Sequence, residues 1–170
     1  MDDQEIFREV VSGLSEAFGG PEARFKSDDY AHLVYDNQVV FSFQYFAERK
    51  AVVVFVILGR VPEHVLPKVL EHCLFSNLFW QRTRGATLAF DDDRQSLVLQ
   101  HRIQLVGLNP ADFQEKVTHM AEVAAVWSDI LRRAAQMAPT ENQDAAPTDH
   151  VPSEPTGAAP SFHFDPGRFA

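Results

Sequence analysis

Seven histidines, one cysteine and a run of three aspartates are the residues of this chain suited to holding a metal or attacking a substrate. A metal needs several ligands converging on one point, and the histidines do not converge. His32, His64, His72, His101, His119, His150 and His163 stand singly. His64 and His72 lie about two turns apart on one expected helix, too far to share an ion, and Cys73 points roughly 100° away from His72. No HExxH and no paired CxxC occurs. The histidines are therefore expected at surface or edge positions. Cys73 falls on the apolar stripe of its helix, where a free thiol behaves as a small buried hydrophobe. No GxSxG elbow is present, and Gly19-Gly20 follows a helix, the wrong order for cradling a phosphate. Asp91-Asp92-Asp93 lacks the spaced ligands and closing Glu of a calcium loop and reads as a polar turn. No catalytic, cofactor-binding or metal-ligating residue is assigned, and the chain is expected not to be an enzyme.

The elements that position these residues follow from apolar periodicity. Ile6, Phe7, Val10, Val11, Leu14 and Phe18 have the i, i+3/i+4 spacing of an amphipathic helix over about Asp3–Phe18. Asp2 and Asp3 are placed to cap its positive end, and Gly19-Gly20-Pro21 to stop it. Tyr30–Tyr35 and Gln38–Phe46 flank Asp36-Asn37 and predict a hairpin. Ala51–Leu58 is a continuous β-branched run, expected as a central strand covered on both faces. Pro62 opens a helix to about Leu78, its start displaced or kinked by Pro67. Ala86–Phe90 and Ser96–Ile103 predict a second hairpin. Asn109-Pro110 starts a last helix to about Met137, with Phe113, Val117, Met120, Ala124, Trp127, Ile130 and Leu131 inward. The order α-βββ-α-ββ-α predicts an α+β sandwich, helices packed on a twisted antiparallel sheet.

Composition sets the boundaries. With 170 residues the chain suits one domain, residues 1–137, and 14 Phe give it apolar groups to spare. Residues 138–170 hold six of the ten prolines and no periodic apolar face, and are expected to be a disordered, acidic, Pro-rich tail. That tail has five acids and one Arg, leaving −5 of the formal −9 on residues 1–137. No Lys/Arg cluster offers phosphate contacts, so nucleic acid is excluded as a partner. The acidic N-terminus resembles no signal peptide and the longest apolar run, Ala51–Gly59, is too short for a membrane span, so a cytoplasmic protein without membrane insertion is expected.

What the elements leave over is apolar surface. The first helix is apolar over a wide arc, and the strand Val39–Phe46 carries large apolar groups on both faces. Such surplus marks an interface, and binding another polypeptide is the favoured function. The alternatives are a small-ligand-binding domain, with Phe41–Phe46 lining a pocket with His32, Ser42 and Gln44, or a regulatory adaptor of similar fold.

The segment EHCLFSNLFWQRTRGATLAFD, with Leu74, Asn77, Leu78, Phe79, Gly85 and Ala86–Phe90, resembles the type III secretion effector chaperones of the Tir chaperone (CesT-like) family. LVLQHRIQLVGLNP, residues 97–110, is similar to that family's last strand leading into its closing helix. The resemblance covers roughly residues 3–135, and the extension beyond is a departure from it. It implies a homodimer without cofactor that binds the N-terminal segment of an effector in extended form, adding a short strand to a sheet edge. By position it implies an effector-binding patch of Phe7, Val10, Val11, Leu14, Phe18, Val39, Phe41, Phe43 and Phe46. The implied dimer interface is Val65, Leu66, Val69, Leu70 and Leu74 with Leu88 and Phe90. Secretion-apparatus ATPase or sorting components are offered as further partners, and Phe162, Phe164 and Phe169 form an apolar spot on the tail that either occupies the chain's own groove or docks on such a component.

Overall fold

Asp2 caps the first helix, α1 (Asp3–Ala17), through a complete capping box in which the Glu5 side chain returns to the Asp2 backbone. The computed structural model describes residues 2–18, 23–36 and 39–137. The expected stop at Gly19-Gly20-Pro21, the turn residue Asn37, and the whole of 138–170 with Phe162, Phe164 and Phe169 lie outside them. After α1 come β1 (Arg24–Ser27), β2 (Tyr30–Tyr35), β3 (Val39–Phe46), β4 (Ala51–Arg60), α2 (Leu66–Asn77), β5 (Thr87–Asp91), β6 (Ser96–Gln104) and α3 (Pro110–Ala135). Pro67 lacks an N–H and can sit only in the first turn, so α2 begins at Leu66 and Glu63–Val65 form a 3-10 turn before it.

The six strands form one antiparallel sheet in the order β1-β2-β3-β4-β6-β5. α1 and α3 lie on one face, and α2 packs on β5 at one end. Alternation decides what each strand contributes. Ala31 and Leu33, Phe41 and Phe43, Val52, Val54 and Val56, and Leu97 and Leu99 point under the helices. From above, Phe7, Val11 and Leu14 of α1 and Phe113, Val117, Met120 and Trp127 of α3 close the core. Asn109 caps α3 by accepting from the Ala111 N–H. Of the residues expected inward on α3, Ile130 instead lies at the rim, 37% exposed.

Two expectations need correction. β1 joins the sheet as a sixth strand although Arg24-Phe25-Lys26-Ser27 shows no apolar periodicity. It is held from outside: Phe25 meets Phe7 edge-on at 6.1 Å, the Arg8 guanidinium lies 5.4 Å over the Phe25 ring, and Arg8 pairs with Asp28. β4 is central, between β3 and β6, yet only one of its faces is covered. Val53 and Phe55 are half-buried on the other face and Ile57 is 53% exposed.

Candidate functional site

Among the described residues no helix covers the second face of the sheet. That face forms a trough of about 810 Å³ crossed by β2, β3, β4, β6 and β5. Its floor is apolar, with Val40, Phe46, Val53, Phe55, Ile57 and Val98, while His32, Gln44, Gln100 and Arg94 supply polar groups around it. The register makes this one surface, since Ile57 stands opposite Val98, Phe55 opposite both Ser42 and Gln100, and Phe46 opposite Ala51. Three of these polar groups already have partners: His32 Nδ1 lies 3.2 Å from Ser42 Oγ, Gln44 Nε2 donates to the Asp29 carboxylate at 3.1 Å, and Arg94 pairs with Asp91. Partnered groups on an open floor suit a peptide laid across it better than a small molecule, which needs an enclosed cavity with polar groups aimed inward.

A second apolar surface lies where α2 ends. Leu74, Phe75, Leu78, Phe79 and Trp80 stand outward, with Leu74 73% and Phe79 76% exposed. Phe79 and Trp80 both have positive φ, 56° and 53°. That conformation costs an L residue roughly 1–2 kcal/mol, and here it turns two large aromatics toward solvent. The Arg82 guanidinium lies 4.6 Å over the Phe75 ring. A shallow pocket of about 230 Å³, lined by Leu70, Cys73, Leu74, Leu88 and Phe90 among others, continues this surface onto β5.

The sheet has two edges, and they differ. On β5 the side chain of Asn77 donates from Nδ2 to the Leu88 carbonyl at 3.0 Å and accepts from the Leu88 N–H at 2.9 Å. β1 pairs only with β2 and presents its other edge outward.

The residues expected in the effector patch divide sharply. Phe7, Val10, Val11, Leu14, Phe41 and Phe43 are 0–4% exposed and belong to the core of the single chain. Their expected place on an accessible patch is corrected, for a physical reason: α1 packs on both the sheet and α3, and that double contact uses the wide apolar arc. Phe18 and Val39 are partly buried, and Phe46 is 43% exposed on the open face. On the second surface Val65, Val69 and Leu88 are buried inside the chain, Leu66, Leu70 and Phe90 partly so, and Leu74 projects. Residue-type reasoning missed Phe75, Trp80 and the open-face residues Val53, Phe55, Ile57 and Val98. The FSNLFW run was itself a signal, because a helix ending in so many apolar groups cannot face all of them inward.

The chemistry-bearing residues sit apart from one another. Among the described residues no three His, Cys, Asp or Glu side chains are grouped to hold a metal. Cys73 is buried, and desolvation pushes its thiol up to about 11, so it stays protonated at neutral pH. Asp91 accepts from the Arg94 backbone and side chain, at 3.1 and 2.8 Å, and closes the β5–β6 turn. His101, expected at a surface or edge, is instead half-buried with an unpartnered Nδ1. Among the described residues no helix is long and apolar enough to cross a membrane.

Comparison with known proteins places this architecture. The sequence model of the Tir chaperone protein (CesT) family matches residues 9–128. No curated protein sequence matches the chain. The fold is similar to the crystal structure of the ExsC–ExsE complex, at 19% identity over 77% of this chain and 97% of that one, with a TM-score of 0.63. It is also similar to the heterodimeric ExoU–SpcU complex from the type III secretion system of Pseudomonas aeruginosa, at 16% identity over 72% and 98% of the two chains, TM-score 0.58. A third likeness is the Yersinia pestis type III secretion chaperone SycH in complex with a fragment of YscM2, at 17% identity over 70% and 97%, TM-score 0.56.

Proposed function

The chain belongs to the Tir chaperone (CesT) family of type III secretion chaperones, and on that premise we propose how it holds its client. It is a cytoplasmic, non-enzymatic homodimer that binds the N-terminal segment of an effector in extended form and keeps it soluble for export. The observation that carries the reading is the sheet face left uncovered beside an open β1 edge. A protomer with a complete core under α1 and α3 still exposes Val40, Phe46 and Ile57 in one trough. Patches of that kind mark binding surfaces.

The mode follows from the geometry. An extended client pairs its backbone with β1 and lays alternate side chains across the trough, so main-chain bonds give affinity and the floor gives selectivity. Arg24 and Lys26 on β1 repel a second β1 and favour a client strand with acidic or neutral side chains. A client that orders on binding loses entropy, which keeps the complex reversible for its size. Two protomers pair through the end of α2, where Leu70, Leu74, Phe75, Leu78, Phe79 and Phe90 supply the contact. Covering those rings would help to offset the unfavourable backbone at Phe79 and Trp80. The tail and secretion-apparatus components such as the ATPase or sorting proteins remain further partners of this proposal. ExsC, SpcU and SycH are each solved with another protein bound, which supports a polypeptide partner here.

The test is copurification of the client, identified by mass, with wild type and with Phe46→Asp/Ile57→Asp. The double variant is expected to remain folded and dimeric and to lose the client. Full client retention by a folded double variant contradicts the placement on the open face.

A further inference from the structure

We propose that Asn77 closes the β5 edge of the sheet to strand addition, so that an extended client, on the reading above, adds at β1 and not at β5. Backbone groups along one edge of a strand recur every second residue. Leu88 faces outward, since both its N–H and its carbonyl are taken by the Asn77 side chain. The neighbours on that edge are then Ala86 and Phe90. The Ala86 N–H already donates to the Thr83 carbonyl at 3.0 Å. Only Phe90 keeps both its edge groups for an incoming strand, and one residue cannot fix a register. A carboxamide suits this task because it presents one donor and one acceptor side by side, as a neighbouring peptide unit would. Leu has neither and Asp lacks the donor.

The opposite edge has no such device among the described residues. β1 is in register with β2 at Arg24, Phe25 and Ser27, its groups alternate between the β2 side and the outer edge, and among the described residues only the Ala23 N–H just before it is tied back, to Ser15 Oγ at 2.8 Å. Asn77 is also the last residue of α2, so the helix proposed to pair the protomers is the one that seals β5. One sheet edge per protomer is thereby committed to the client. The other is kept from joining strands indiscriminately, which is the hazard of any exposed edge.

Amide hydrogen exchange on the full chain, read by NMR, tests the closure without a client. Asn77→Ala is expected to speed exchange of the Leu88 amide about five- to tenfold, the scale of one net hydrogen bond, with the Val54 amide unchanged. Asn77→Asp keeps an acceptor for that amide and is expected to hold its protection. A nitroxide-labelled heptapeptide of alternating Val and Thr then reports which edge accepts a strand. It is expected to broaden Phe25 and Lys26 resonances in wild type, and those of Leu88 and Phe90 in addition in Asn77→Ala. An unchanged Leu88 rate in a folded Asn77→Ala protein overturns the proposal, and so does a probe that reaches β5 in wild type as readily as β1. A probe that reaches neither edge counts against the β1 client, and the Leu88 rate then decides the role of Asn77 alone.

Discussion

His101 lies on β6 beside the loop through Gly85, which closes so tightly that a Cβ there would stand 3.1 Å from the imidazole. Gly85 also has a φ of +90°, which a side chain rarely tolerates. Desolvation, with a smaller contribution from the Lys116 charge, holds the imidazole below its ordinary value. The folded state therefore binds fewer protons at this site than the unfolded chain once pH falls below about 6.5. Stability is expected to decline from there toward the lower folded value. His101→Leu removes the unpartnered nitrogen and the titration together. In urea unfolding at pH 8 and 5.5 the variant is expected to lose less stability on acidification than wild type. The sequence could not show this position. His101 occupies the alternation site between Leu99 and Ile103 that faces the helices, and the alternation in that strand was readable, but the loop that seals it comes from sixteen residues upstream.

At the scale of the element, the sequence placed β2, β3, α1 and α3 to within a residue or two, because the helices each have one long apolar stripe and the strands are β-prone runs on either side of a turn. β1 escaped it. Four residues with a single apolar side chain carry no period, and the strand exists through contacts made by Arg8 and Phe7 from another element. The α1 stripe was legible as a helix but misread as surplus, since a stripe does not say how many layers press on it. Phe7 alone meets Phe25 edge-on and Tyr45 face-on, the latter at 5.6 Å. The end of α2 is the reverse case: Leu74 was expected at an interface and stands outward, while the exposure of Phe75 and Trp80 was hidden among apolar neighbours. If this end pairs two protomers, Leu74→Asp/Phe79→Asp yields a folded monomer. Light scattering is expected to show half the wild-type mass with unchanged far-UV circular dichroism. A dimer that survives both charges places the pairing surface elsewhere.

Among the described residues the molecule is a sheet covered by helices on one face. Strands with large groups on both faces, such as β3 with Phe41 and Phe43 beneath and Val40 and Phe46 above, announced two surfaces, and one set of helices accounts for only one of them. Which face is core follows from α1 and α3 in three dimensions, and a linear pattern is symmetric in that respect. Most of the expected client patch lies under the helices, so the proposal above puts the client on the opposite face, and the polypeptide-binding reading stands. Its most direct test is an exchange footprint of the chain purified with its client. Protection gained over Arg24–Ser27 and across Phe46, Phe55 and Ile57, with the client's N-terminal segment as the bound region, is the result this account expects. A footprint confined to α1 and α3, or a client held as a folded domain with the open face unprotected, would contradict it.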